Sequence, residues 1–279
     1  MAAAPDRTRE HLSNRIVRAL GLARERVATA DLLNFYADLC EFQQSLLANV
    51  SAVIGEGRRF VDALDAEAAA SLVPEFVAWL DGRPQRGLTA VTDAVRDKSA
   101  SEWEPLLQRY WQHGSAPDHG LDEIEQFVAE AFLQPFAETL SRARNTSDDG
   151  ELDERADLTT IGRCRVCGGR ASIATLRERG HGARRSLVCG FCLAEWPIPR
   201  AVCVSCGEHD ADALLVYRAE EFPDIRIDAC RSCESYIKTI DFTRNGAALP
   251  VVDDLASLAM DLWAAGRGYR KLRPNLLRL

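Results

Sequence analysis

Eight of the nine cysteines in this chain fall into four Cys-x-x-Cys pairs: Cys164/Cys167, Cys189/Cys192, Cys203/Cys206 and Cys230/Cys233. The first two pairs enclose 21 residues, the last two enclose 23, and ten separate the second pair from the third. A Cys-x-x-Cys turn presents two sulfurs to one metal ion at about 2.3 Å while backbone amides fold back on the sulfurs. Two such knuckles joined by a hairpin complete a tetrahedral site. The spacing therefore predicts two metal sites, Cys164, Cys167, Cys189 and Cys192 in the first and Cys203, Cys206, Cys230 and Cys233 in the second. Sequential pairing gives two compact ribbons; interleaved pairing is open beside it. Thioredoxin-like redox use of the motif needs a βαβ context that the surrounding pattern lacks. Four sulfurs without histidine leave the metal open between iron and zinc. A closed zinc site contributes folding energy and no chemistry, whereas one iron in the same cage is rubredoxin-like and can sense redox state.

No other constellation competes. The chain has no nucleophile elbow, phosphate loop or H-E-x-x-H motif, so it is not expected to be an enzyme. Cys40 lies in an apolar helical stripe and reads as a small buried hydrophobe. His11, His113 and His119 lack ligand-like neighbours, and His181 and His209 belong to no knuckle.

The elements that must position the knuckles come in two kinds. Residues 6–146 read as almost wholly helical. Asp31 is placed to cap a segment reaching about Ile54, ended by Gly55 and Gly57. A second run spans Asp65 to Leu80 and stops at Asp81-Gly82-Arg83-Pro84; shorter segments follow near 88–98 and 101–113. Pro117 and Gly120 precede a helix from Leu121 to about Arg144, with Pro135 set to bend or restart it. A polar, acidic stretch from Asn145 reads as a linker. Short strands are expected at 171–176, 186–188, 213–217, 225–228 and 236–242. Asp253 is then placed to cap a helix whose Leu255, Leu258, Ala259 and Leu262 share one face.

The predicted fold class is α+β. An all-helical N-terminal domain covers 1–158, with 146–158 as linker. Two tandem rubredoxin-like or zinc-ribbon modules, each with four cysteines, follow at 159–202 and 203–247. A C-terminal helix and tail complete the chain at 248–279.

Charge is divided unevenly. The net is −8 overall, with 24 acidic and 15 basic side chains in residues 1–150 against 18 and 19 in 151–279. Eight arginines lie in 163–206 against only Glu178 and Glu195. Four thiolates around a divalent ion carry about −2, so these arginines partly balance the sites. An acidic chain weighs against general nucleic-acid affinity. The start of the chain has no apolar signal segment, and no apolar run suffices to cross a membrane, so a cytoplasmic location without membrane partners is expected. Reduced thiols there favour metal over disulfides.

The run from Leu187 to Cys206, containing Cys-x-x-Cys, Glu195-Trp196, Arg200 and a second Cys-x-x-Cys, resembles the formate dehydrogenase accessory protein FdhE family. Cys230-Arg-Ser-Cys-Glu-Ser-Tyr-Ile-Lys is similar to that family's fourth knuckle. Asp253-Asp-Leu-Ala-Ser-Leu, Gly268-Tyr269 and Asn275 resemble its C-terminal segment, and Phe132-Leu-Gln-Pro-Phe is a less distinctive likeness. The resemblance implies a cytosolic assembly factor that binds the catalytic subunit of a respiratory formate dehydrogenase before export, with rubredoxin-like iron at the cysteine sites. It draws attention to Glu195, Trp196 and Arg200 as candidates either to buttress the ribbons or to face the partner. A rubredoxin-like electron-transfer or redox-sensing protein is the alternative, and a zinc-ribbon nucleic-acid-binding protein a further one. Oligomeric state is not encoded in any feature of the chain.

Overall fold

The computed structural model describes residues 3–83, 88–113, 120–144, 160–180 and 182–278. The expected linker at 146–158, together with Pro84, Pro117, His119 and His181, lies outside the described residues.

Helix α1 spans Ala3–Glu25, and one tight turn leads into α2, Ala30–Leu46. Asp31 does not cap α2; it sits within the first turn, where a carboxylate faces the positive end of the helix, and Thr29 holds the cap position. The expected run to Ile54 is interrupted by a tight turn at Leu47–Asn49 before the short α3, Val50–Val53. Helix α4, Ala66–Asp81, falls on the expected second run and is capped by Asp65, whose carboxylate accepts from the Ala68 amide at 2.9 Å. Then come α5, Leu88–Val95, α6, Ala100–His113, and α7, Glu123–Arg144.

Helix α7 is the axis of this half, buried at every residue from Phe127 to Ser141. It runs unbroken through Pro135. Proline has no N–H, so the Ala131 carbonyl one turn earlier loses its helical donor. The Gln43 side chain of α2 takes its place, Nε2 donating to that carbonyl at 2.8 Å. A buried carbonyl is satisfied from a neighbouring helix, and no bend is needed to reach water.

The ribbons supply β1, Ala171–Arg179, β2, Gly182–Cys189, β3, Glu195–Ile198, β4, Leu214–Ala219, β5, Phe222–Cys230, and β6, Ser235–Asp241. They form one sheet in the order β3-β2-β1-β6-β5-β4. Each ribbon is antiparallel within itself. The join is parallel, with Ile173 opposite Lys238 and Leu176 opposite Asp241.

The C-terminal helix is two helices, α8, Pro250–Ala256, and α9, Leu258–Gly266, followed by β7, Arg270–Lys271, which pairs with β6. Asp253 lies inside α8 and reaches back to the Leu249 amide at 2.7 Å. The apolar face read from the sequence is also displaced: Leu262 is 68% exposed, while Asp254 and Asp261 are buried. Lys238 explains this, its Nζ lying 2.9 Å from Asp254 and 2.6 Å from Asp261. Lys271 adds a contact to Asp254 at 3.0 Å.

One apolar core runs from Leu12 and Leu33 through Trp111 and Phe136 to Phe191 and Trp196 of the first ribbon. A smaller one, including Ile225, Ile227, Tyr236 and Met260, lies under the second.

Candidate metal centres

All four knuckles share one backbone design. In the first, the Cys164 amide donates to the Gly169 carbonyl at 2.7 Å and the Gly168 amide returns to the Cys164 carbonyl at 2.9 Å. The third repeats this with Cys203, Glu208 and Gly207 at 2.7 and 2.9 Å. The residue after each second cysteine adopts a positive φ: 74° at Gly168, 56° at Leu193, 78° at Gly207 and 53° at Glu234. Glycine enters that region without strain, and leucine and glutamate do so at a cost that a metal-binding turn offsets. Amides two residues after Cys164, Cys167, Cys189 and Cys203 point at the sulfurs at 3.4 Å.

The sulfurs gather sequentially, as the spacing predicts. Within each group of four, all Sγ atoms lie within 4.8 Å of one another. In the first group Cys164 and Cys192 are 3.6 Å apart and Cys167 and Cys189 3.4 Å. In the second, Cys203 and Cys233 are 3.7 Å apart and Cys206 and Cys230 3.8 Å. Disulfide sulfurs would be about 2.05 Å apart, whereas a tetrahedron of bonds of about 2.3 Å has edges of about 3.8 Å. Each group could hold one metal ion. Iron there would supply one-electron chemistry; zinc would supply folding energy.

The two cages differ in their surroundings. The inner one, Cys164, Cys167, Cys189 and Cys192, is wholly buried. Phe191, between its last two ligands, packs edge-on against Tyr110 at 5.3 Å and Trp111 at 5.7 Å. Helix α7 reaches the same knuckle, Gln134 Nε2 donating to the Gly190 carbonyl at 3.2 Å. The outer cage has Cys203 and Cys230 buried, Cys233 half-buried and Cys206 exposed. Burial pushes the Cys233 thiol up, but hydrogen bonds from Ser235 and Cys206 outweigh it and bring the group down to about 7.

Arg273 tests whether the inner cage suits a charged metal–thiolate unit. Its guanidinium is buried, Nη2 donating to Glu130 at 2.6 Å and to the Tyr110 hydroxyl at 3.2 Å. Its Nε and Nη1 are buried without a hydrogen-bond partner. Burial alone would lower its pKa; Glu130, Tyr110, Cys189 and Cys167 together raise it. A buried cation with donors to spare beside four sulfurs complements the negative charge of a loaded cage. Arg278 joins the same carboxylate, 2.8 Å from Glu130.

Among the residues singled out as partner-facing, Trp196 is buried, its Nε1 donating to the Ile161 carbonyl at 3.2 Å. Glu195 accepts from Thr175 at 2.6 Å and meets Arg177 at 3.4 Å. Arg200 is exposed, and its carbonyl accepts from Arg185 at 3.3 Å. Arg185 itself is buried and pairs with Asp228 of the second ribbon at 3.0 Å, so one of the ribbon arginines is engaged at the junction between the modules. Neither composition nor spacing points to Arg273, Glu130 or Gln134. Gln134 does lie within the Phe132-Leu-Gln-Pro-Phe stretch, the only local signal of the three.

A helical half and twin ribbons sharing one sheet, each ribbon closing a four-sulfur cage, define a two-centre cysteine-ribbon protein. The family described as "FdhE, C-terminal domain" matches residues 202–278. A Protein FdhE homolog of Pseudomonas aeruginosa is 30% identical, covering 97% of this chain and 90% of its own. That of Stutzerimonas stutzeri is also 30% identical, over 89% and 83%. The crystal structure of the FdhE protein from Pseudomonas aeruginosa matches with a TM-score of 0.72 at 22% identity, covering 97% of this chain and 96% of that one, a likeness of fold. The chain belongs to the FdhE family.

Proposed function

We propose that this protein is a cytoplasmic, non-enzymatic accessory factor for a respiratory formate dehydrogenase. It binds the catalytic subunit before export through a surface built on the outer four-cysteine module. The observation that carries this reading is the asymmetry of the two cages in a chain of the FdhE family. The inner cage is sealed among aromatic rings and stabilises the fold. The outer one opens at Cys206 and borders a cavity of about 240 Å³ lined by Arg200, Val202, Leu215 and Val216. Val216 is 53% exposed, an apolar residue beside a positive one, which suits a partner segment with apolar and acidic side chains. Among the described residues no helix is long and apolar enough to cross a membrane. Capture of the catalytic subunit by tagged protein from its own host tests the proposal. Unchanged formate dehydrogenase assembly in cells lacking the protein would overturn it.

The exposure of Cys206 supports a second reading in which iron in the outer cage senses redox state. Metal analysis and a potential measured on protein from the native host separate the two: tightly held zinc there removes the redox reading.

A further inference from the structure

The sheet ends differently at its two edges. At one edge, β3 has four residues, buries Trp196 and carries Pro197, which has no N–H to offer a further strand. At the other, β4 has six residues and no proline. One bond fixes its hydrogen-bonding phase: the Arg231 amide donates to the Ala213 carbonyl at 2.9 Å. Antiparallel pairs alternate between bonded and unbonded, and Ala213 continues the register that sets Leu214 against Cys230 and Leu215 against Ala229. Leu215 and Tyr217 therefore turn their backbone groups to β5. Leu214, Val216 and Arg218 turn theirs outward, where no described residue pairs with them. Sheets usually cover, shorten or charge such an edge against stray strands. The charge on this one is Arg218, which selects a strand by sign.

The two faces of β4 define what an added strand would carry. Val216 and Arg218 lie on the face of the outer cavity, whose charged lining is Arg185, Arg200, Arg226 and Asp228. Asp228 already serves Arg185 at 3.0 Å and Arg226 at 2.8 Å. Arg200 and Arg218 are exposed and have no ion-pair partner among the described residues. Tyr217 lies on the opposite face, edge-on to the exposed Trp263 of α9 at 4.8 Å. An added strand thus sets acidic side chains against Arg218 and the cavity, and apolar ones against Tyr217 and Trp263. A second copy of this chain does not fit: two-fold pairing with Val216 against Val216 brings Asp212 opposite Glu220 and Arg218 opposite Leu214.

We propose that the open edge of β4 takes an extended segment of the catalytic subunit, alternating acidic and apolar side chains, as one more strand of the sheet. This mode of docking rests on the function proposed above. Main-chain hydrogen bonds supply its affinity and the alternating side chains its specificity.

A synthetic peptide of alternating glutamate and valine, titrated into the full-length, metal-loaded protein, tests the edge, with amide hydrogen exchange followed by NMR. Saturable binding is expected, with slowed exchange at Leu214, Val216 and Arg218 and no change at Leu215 and Tyr217, which β5 already holds. R218E should weaken binding about tenfold, an attractive cross-strand pair having become a repulsive one. V216P removes an outward N–H at a position where an edge strand tolerates proline. It should abolish peptide binding and capture of the catalytic subunit, with metal content and melting temperature unchanged. No peptide binding, binding without protection of those three amides, or parent-level affinity in R218E would overturn the proposal. Capture of the subunit by V216P at the parent's level would overturn it and leave the docking reading standing; a parent that captures no subunit would overturn both.

Discussion

Arg273 fills the space that a side chain at position 190 would require: a Cβ built on Gly190 would overlap its guanidinium. The C-terminal tail and the second knuckle of the inner cage are thus fitted to each other across the helical core. G190A should cost about 1–3 kcal/mol, the usual range for overpacking. It should also free the tail. Limited proteolysis reads the second effect, with cleavage after the residues near 270 appearing in the variant and not in the parent.

The difference between the cages predicts two phases of metal loss. A chelator should remove the outer ion from the folded protein through exposed Cys206, while the inner ion leaves only as the helical core opens, because its ligands belong to that core. C206S should lose the fast phase alone and keep the helical circular dichroism signal. C164S should lower both the slow phase and the melting temperature. One phase for both ions would contradict the assignment.

Gln43 is the donor that lets α7 pass through Pro135. Q43L leaves the Ala131 carbonyl buried and unsatisfied, at a cost of about 1–3 kcal/mol. Denaturant unfolding measures it. In the double variant with P135A the helix regains its own N–H, and much of the loss should be recovered.

Glu138 predicts a pH dependence. Burial alone would raise its pKa, but Arg15 and Arg142 outweigh burial and hold it below the ordinary 4.5. A carboxylate whose folded pKa is depressed stabilises fully above its unfolded value and loses that contribution as pH falls through the folded one. E138Q, which leaves Arg15 buried and uncompensated, should cost about 3–5 kcal/mol at neutral pH. The gap between E138Q and the parent should narrow below pH 4.5. A constant gap across that range would show that the pair is not the cause.

Both cages are legible in the spacing of the cysteines, because a knuckle is a local turn and its hairpin is a local connection. The helices are legible too, through apolar periodicity. What binds these parts together is not. The parallel pairing of β1 with β6 links strands far apart in the chain and leaves no local mark. Lys238, Asp254 and Asp261 look like solvated charges one at a time and become a buried cluster only when β6 meets α8 and α9. Arg273 reads as one more basic residue near the end, and its role depends on Glu130 lying 143 residues earlier. Sequence leaves Trp196 open between packing and binding; its burial and its bond to Ile161 give it a packing contact.

In the proposed function the open side of the outer module meets the catalytic subunit. Its most direct test is co-purification of that subunit, at native expression and under anaerobic conditions, with the parent protein, with R200E and with V216D. Both substitutions sit on exposed residues that line the outer cavity. Capture by the parent and loss of capture by both variants are expected, with metal content and melting temperature unchanged. Equal capture by all three, or none by the parent, would contradict that function.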